Sequence, residues 1–258
     1  MTGKNRREPV ILALTGKGGV GKTSLSALFV RLLMEEFPDK KILAIDADPA
    51  VGLATALGLR VERTVDDIRR TLIEQTEKGS DMAVVELLGE ARYRIFDALV
   101  SDQNLSFLAI GRPESAGCYC TVNSYLKEII HLLAENFDYI VIDGEAGIEQ
   151  VNRRVMEKIT HLVMVSDASK KGLAVAQTIR DVAEKLMRFE QAGLIVNRLP
   201  DLAMREYLDT KDLPLIACIP DDRQMSMSDM LGETVFEIPA GSEIYRGSRA
   251  ALEQLSLL

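Results

Sequence analysis

Gly16-Lys17-Gly18-Gly19-Val20-Gly21-Lys22-Thr23 lies between a short apolar run, Val10–Leu14, and a helical pattern over Thr23–Glu36. It is a full match to Gly-x-x-x-x-Gly-Lys-Ser/Thr, and a strand before it with a helix after it is the setting in which such a loop cradles phosphates. Glycines let successive backbone N–H groups turn inward toward phosphate oxygens without Cβ clashes. The helix beginning at Lys22-Thr23 adds the partial positive charge of its N-terminus. Lys22 is placed to reach the β- and γ-phosphates and Thr23 to coordinate Mg, with Ser24 beside them among the nucleotide contacts. ATP and Mg2+ are the ligands this loop predicts.

Further aliphatic runs follow at Lys41–Ile45, Phe107–Ile110, Tyr139–Ile142, Leu162–Val165, Leu194–Val196 and Leu215–Ile219. Most are continuously apolar, as strands covered on both faces are. Helical patterns separate them, among them Val122–Asn136, Gly172–Arg188 and Ser242–Leu255. Strand alternating with helix predicts an α/β fold, a mainly parallel sheet of about seven strands flanked by helices, in one domain spanning the chain. Val51–Ser106 holds only helical patterns and one polar segment, Glu74–Asp81, and reads as an insertion carrying partner contacts.

Ligands in such sheets bind beyond the C-terminal strand ends, and two runs end there in acids: Asp46-Ala47-Asp48-Pro49 and Asp143-Gly144. A carboxylate beside buried apolar strands is costly unless it works on a cation or a water. Asp143 has the place of the acid near Mg, Asp46 that of a group holding a Mg-bound water, and Asp48 that of one positioning the attacking water. Asp48, just before Pro49, also fits a helix N-cap.

The chain of 258 residues is 47% hydrophobic and 27% charged, and its net charge of −8 argues against non-specific nucleic-acid binding. No apolar run approaches the roughly 20 residues of a membrane span. The polar, basic start Met1–Arg7 does not read as a signal peptide, so a cytoplasmic location is expected. Three cysteines, Cys118, Cys120 and Cys218, are too few for a disulfide framework.

The additional lysine, Lys17, gives the deviant form Lys-Gly-Gly-Val-Gly-Lys-Thr. In this the chain resembles the branch of P-loop ATPases that contains MinD, ParA, ArsA and the nitrogenase iron protein. The resemblance implies a homodimer closed by nucleotide, with Lys17 contacting the nucleotide of the other subunit and Asp48 as the hydrolytic aspartate. It also implies that Asn197, with Arg198 next to it, reads the adenine near the Ile219-Pro220-Asp221 loop; as a bare sequence feature, Asn197 also fits a turn. Gly117-Cys118-Tyr119-Cys120 together with Gly144-Glu145-Ala146-Gly147-Ile148-Glu149 resembles, more narrowly, the CooC and AcsF maturation ATPases. That resemblance implies Ni2+ as cargo and a carbon monoxide dehydrogenase or acetyl-CoA synthase as client.

Residues i and i+2 of an extended chain point to one side, so Cys118 and Cys120 can face one ion. A closed thiolate site wants four sulfurs, which two such pairs meeting on a two-fold axis supply. Thiolates suit Ni2+, Zn2+ or an Fe–S cluster, so an Fe–S carrier related to the nitrogenase iron protein is the alternative reading. A positioning switch of the MinD or ParA kind is a further one. It would need a membrane helix or a basic surface, and Ser248–Leu258 reads as a docking helix instead. Cys218 reads as a small core residue, His131 and His161 as structural, and Met225, Met227 and Met230 as a core or interface stripe.

Overall fold

The computed structural model describes residues 8–48, 50–77, 84–111, 120–144 and 148–258. In chain order the elements are β1 Val10–Gly16, α1 Lys22–Glu36, β2 Ile42–Asp46, α2 Gly52–Ala56, α3 Val65–Glu77 and α4 Val84–Asp97. Then come β3 Val100–Asp102, β4 Leu105–Ala109, α5 Cys120–Ala134, β5 Tyr139–Asp143, α6 Glu149–Arg154 and β6 His161–Ser166. The chain continues with α7 Lys170–Leu186, β7 Gln191–Leu199, β8 Leu215–Pro220, α8 Arg223–Leu231 and α9 Glu243–Gln254.

The strands form one eight-stranded sheet in the order β3-β4-β2-β5-β1-β6-β7-β8, parallel except for the antiparallel edge pair β3 and β4. The α/β architecture expected from the alternating pattern is therefore present, with one strand more than the apolar runs suggested. That strand, Val100–Asp102, falls inside the stretch read as helical. Its three residues are too few and too polar to register as an apolar run, and the turn at Gln103, with φ of 52°, makes it a hairpin.

Alternation along β1 explains why helices cover both faces. Ile11 and Ala13 belong to a core cluster with Leu126, Ile130 and Leu133 of α5 and Leu173, Ala176 and Ile179 of α7. Leu12 and Leu14 point the other way, into a cluster with Leu25, Leu28 and Phe29 of α1 and Ala251 and Leu252 of α9. Successive strand side chains take opposite faces, so a strand covered on both sides must be apolar throughout.

The C-terminal helix is committed inside the fold. Ser242 caps α9 by accepting from Tyr245 N, and Ile244, Tyr245, Ala251 and Leu252 are buried. Tyr245 Oη donates to Glu35 Oε2 at 2.6 Å, and Arg31 lies over the Tyr245 ring while donating to the carbonyls of Val235 and Ile238. The docking helix expected from the sequence thus docks on α1 and β8 of its own chain. Among the described residues no helix is long and apolar enough to cross a membrane.

Candidate active site

β1 runs into the first glycine of the phosphate loop, and at Gly16 a Cβ would stand 2.0 Å from the Val165 carbonyl oxygen. No side chain fits there, so the loop leaves the sheet centre between β5 and β6. Gly18 and Gly19 are exposed, Val20 is buried, and Gly21 has φ of 91°, in the left-handed region that favours glycine. A Cβ on Gly21 would also come within 2.5 Å of Asn197 Nδ2. α1 then begins at Lys22 with no side-chain cap, leaving its first N–H groups for an anion.

Lys22 is buried, and its Nζ donates to the Lys17 carbonyl oxygen at 3.2 Å, across the loop it would close over phosphate. Lys17 does not point into its own loop. Its Nζ donates to Asp167 Oδ2 at 3.1 Å, just past the end of β6. The Ser169 hydroxyl donates to the other oxygen of that carboxylate and also caps α7 by accepting from Gly172 N at 3.0 Å. Ser169 first, and then Lys17, hold the Asp167 carboxyl below its ordinary range. The sequence reading passed over Asp167, although it follows a buried strand whose end lies on the same side of the sheet as Asp46 and Asp143.

Asp46 and Asp143 are register partners at the ends of β2 and β5, and both are fully buried. They are the last residues of their strands, inside the ladder. Ser26 Oγ donates to Asp143 Oδ1 at 3.1 Å, while Asp143 Oδ2 has no hydrogen-bond partner among the described residues. Ser26, one helical turn after Thr23, was also missed; the spacing of three residues is the signal that would have found it. Asp46 accepts from Asp48 N at 3.0 Å and from Leu53 N at 2.9 Å, so it pins the loop that carries Asp48. Asp48 is not the N-cap of α2, a position that Val51 occupies with φ of 51°. Asp48 Oδ1 instead accepts from Ala50 N at 2.9 Å in a local turn. Pro49 lies outside the described residues.

Burial pushes the Asp46 carboxyl up to about 7, with the charge of Asp143 adding to the shift against the two N–H donors. Burial likewise pushes Asp143 up to about 6, opposed by the Thr23 and Ser26 hydroxyls and the Lys22 charge. An orphaned carboxylate oxygen beside a second buried carboxylate and two hydroxyls is a donor set suited to a hard divalent cation. Mg would be held through Thr23 and the Asp143 side, and would supply charge neutralisation for bound phosphates.

The raised values fix a sign. A folded-state value above the unfolded one favours the protonated protein, so stability present below about pH 4 is lost as pH rises toward 6 and 7. Asp143→Asn keeps the shape and removes the charge. Without nucleotide and Mg it is expected to be more stable than wild type at pH 7.5, with the difference closing below about pH 5. Urea unfolding of both proteins at the two pH values checks this; equal stabilities at pH 7.5 would contradict it.

Asn197 and Arg198 lie within β7, near its end, and not in a turn after it. Asn197 is buried and its Nδ2 donates to the Val20 carbonyl oxygen at 2.9 Å; Arg198 Nη1 donates to that of Gly19 at 3.0 Å. Both line a cavity of about 180 Å³ with Gly21, Ser24, Asp222 and Met230. Asp222 shapes its wall, because Oδ1 accepts from Gln224 N and Met225 N while Oδ2 accepts from Ile244 N. This cavity adjoins the phosphate loop.

Cys118 lies outside the described residues. Cys120 is the first residue of α5, and its side chain also lies outside the description. Cys218 is half-buried on β8, and burial pushes its thiol up. Among the described residues no group of three or more His, Cys, Asp or Glu could hold a metal ion. His161 sits in a packed setting, with Nδ1 2.7 Å from Thr160 Oγ1. Met225 packs on the core, whereas Met227 and Met230 are exposed.

A parallel sheet flanked by helices, with a glycine loop feeding a helix and buried acids on the neighbouring strand ends, defines a P-loop ATPase. The model of a family described as AAA domain matches residues 9–191, and this chain belongs to that family. An uncharacterized ATP-binding protein of Methanocaldococcus jannaschii is 34% identical, covering 95% of this chain and 98% of its own. The carbon monoxide dehydrogenase accessory protein CooC of Rhodospirillum rubrum is 28% identical, covering 93% of this chain and 95% of its own. The septum site-determining protein MinD of Pyrococcus horikoshii, solved with Mg-ADP, shares the fold at a TM-score of 0.70. It is 24% identical and the match covers 96% of each chain.

Proposed function

We propose that this chain is a Mg-ATP-dependent ATPase that works as a homodimer, takes up nickel between two Cys118-x-Cys120 pairs and delivers it to a carbon monoxide dehydrogenase or acetyl-CoA synthase. The observation that carries the dimer is the direction of Lys17. Its ammonium group rests on Asp167, away from its own loop, while Lys22 spans that loop. A lysine so placed is available to a nucleotide bound by a second copy. In this reading the backbone of residues 16–21 and Lys22 hold the phosphates, Thr23 and Asp143 hold Mg, and Asp48 positions the attacking water. Asn197 and Arg198 form the base end of the site.

The metal half of the reading is supported by the Cys-x-Cys sequence and by the full-length likeness to CooC. Thiolate ligation requires deprotonated sulfur, so uptake weakens as pH falls. Cys218 is a poor second ligand for a cluster of the nitrogenase-iron-protein kind, since it lies within β8 packed against the core, where burial also pushes its thiol up. A positioning switch using a C-terminal membrane helix draws no support from α9, whose apolar side chains are buried.

Nickel(II) titration of reduced, metal-free protein, followed by thiolate charge-transfer absorption and light scattering, tests the reading. One metal ion per two chains is expected, and its loss in Cys118→Ser/Cys120→Ser. Protein that purifies anaerobically as brown and iron-rich, without cysteine-dependent nickel binding, would move the assignment to an Fe–S carrier. Neither metal, with ATP-driven dimers intact, would leave a nucleotide switch.

A further inference from the structure

Helix α8 packs Met225 on the core and turns its other large apolar side chains outward. Met227 is 58% exposed, Met230 87% and Leu231 68%, and spacings of three and four residues put them on one helix face. Only Ser228 of this helix is buried. The 3-10 turn at Leu202–Tyr207, which follows β7, has the same character, with Leu202, Met204 and Tyr207 exposed and no residue buried. These two short segments therefore hold six of the eleven exposed large apolar side chains among the described residues. Both follow the C-terminal ends of adjacent parallel strands, the end of the sheet that carries the phosphate loop. Met230 also lines the cavity shared by Asn197, Arg198 and Gly21.

We infer that the Met227–Met230–Leu231 face of α8 is the apolar part of the contact with a second copy of this chain. The inference rests on the reading of the protein as an ATP-closed homodimer. It commits to a second copy because this face continues the surface through which Lys17 would reach another chain's nucleotide. Around the phosphate loop the described residues of that surface are glycine and charge: Gly18 and Gly19 exposed, Arg198 exposed, and Lys17 on Asp167. A stable interface needs about 800 Å² from each partner and an apolar centre depleted of charge. Among the described residues the phosphate face offers no such centre of its own, and α8, bordering it, supplies one. Methionine suits the task, since it adapts to whatever surface meets it.

The test is Met227→Glu/Leu231→Glu, neither of which lines the cavity, compared with wild type and with the conservative Met227→Leu/Leu231→Met. Sedimentation with a slowly hydrolysed ATP analogue gives the dimer dissociation constant, and a fluorescent nucleotide titrated into dilute protein gives the affinity of the single chain. The glutamate pair is expected to weaken the dimer at least about tenfold, with single-chain nucleotide affinity unchanged and the conservative pair like wild type. Unchanged nucleotide affinity also establishes that the glutamate variant is folded. Dimerisation of the glutamate variant at the wild-type constant would overturn the inference and leave this face to a client protein. Wild type that binds the analogue yet stays a single chain would overturn the dimer reading itself, and this contact with it.

Discussion

Lys17→Ala is expected to keep nucleotide binding nearly intact while ATP turnover falls by about 10³-fold or more, the range for a cation supplied in trans to a phosphoryl-transfer site. The split follows from where the two lysines sit. Lys22 is buried and spans its own loop, so the phosphates of a bound nucleotide have a cation without Lys17. The Lys17 ammonium rests on Asp167, away from its own loop, to which Lys17 gives only the carbonyl that accepts from Lys22. The measurement is turnover per chain against protein concentration, together with nucleotide affinity. Wild type should show activity rising with concentration as pairs form, and the variant a flat, low line. Equal losses in affinity and turnover would mean that Lys17 acts on its own nucleotide, and the trans arrangement would fall.

Asp48→Asn should show the opposite signature: slow hydrolysis with ATP-bound pairs accumulating. A carboxylate that orients or deprotonates the attacking water contributes about 10²–10⁴-fold, and an amide cannot accept the proton. The local structure should survive, because the Oδ1 that accepts from Ala50 N is retained by asparagine. Asp46 still pins the loop through Asp48 N and Leu53 N. Light scattering with ordinary ATP should find long-lived dimers in the variant and transient ones in wild type. A variant that hydrolyses ATP at the wild-type rate would move the hydrolytic role to another group.

Much of this arrangement was legible in the sequence because buried parallel strands are apolar throughout and the glycine loop has a spacing few other structures need. Asp46 and Asp143 stood out for the same reason, as acids where apolar strands stop. Val100–Asp102 did not, because an edge strand of three residues leaves too little pattern. Asp167 obeyed the rule that found its two counterparts, but the interest of its position depends on a lysine 150 residues away in the chain. Asn197 was placed beyond its strand because the polar side chain looked like an end. In fact β7 continues to Leu199, and the polar residue is accommodated by a carbonyl of the phosphate loop. The exposure of Met227 and Met230 was beyond reach, since spacing alone places a methionine stripe equally well in a core.

The grip of Asp167 on Lys17 has a kinetic meaning. Both side chains are more than a third exposed, and such a pair is worth only about 0–1 kcal/mol. A lysine held that loosely is off its carboxylate for a sizeable fraction of the time, released and recaptured faster than two proteins meet. In the proposed homodimer an encounter between chains then finds the lysine already searching, and the number of phosphate charges waiting there decides whether it stays across. Such a grip is too weak, in that proposed homodimer, to delay a partner carrying a triphosphate, and sufficient to bring the lysine home once that charge has been cleaved.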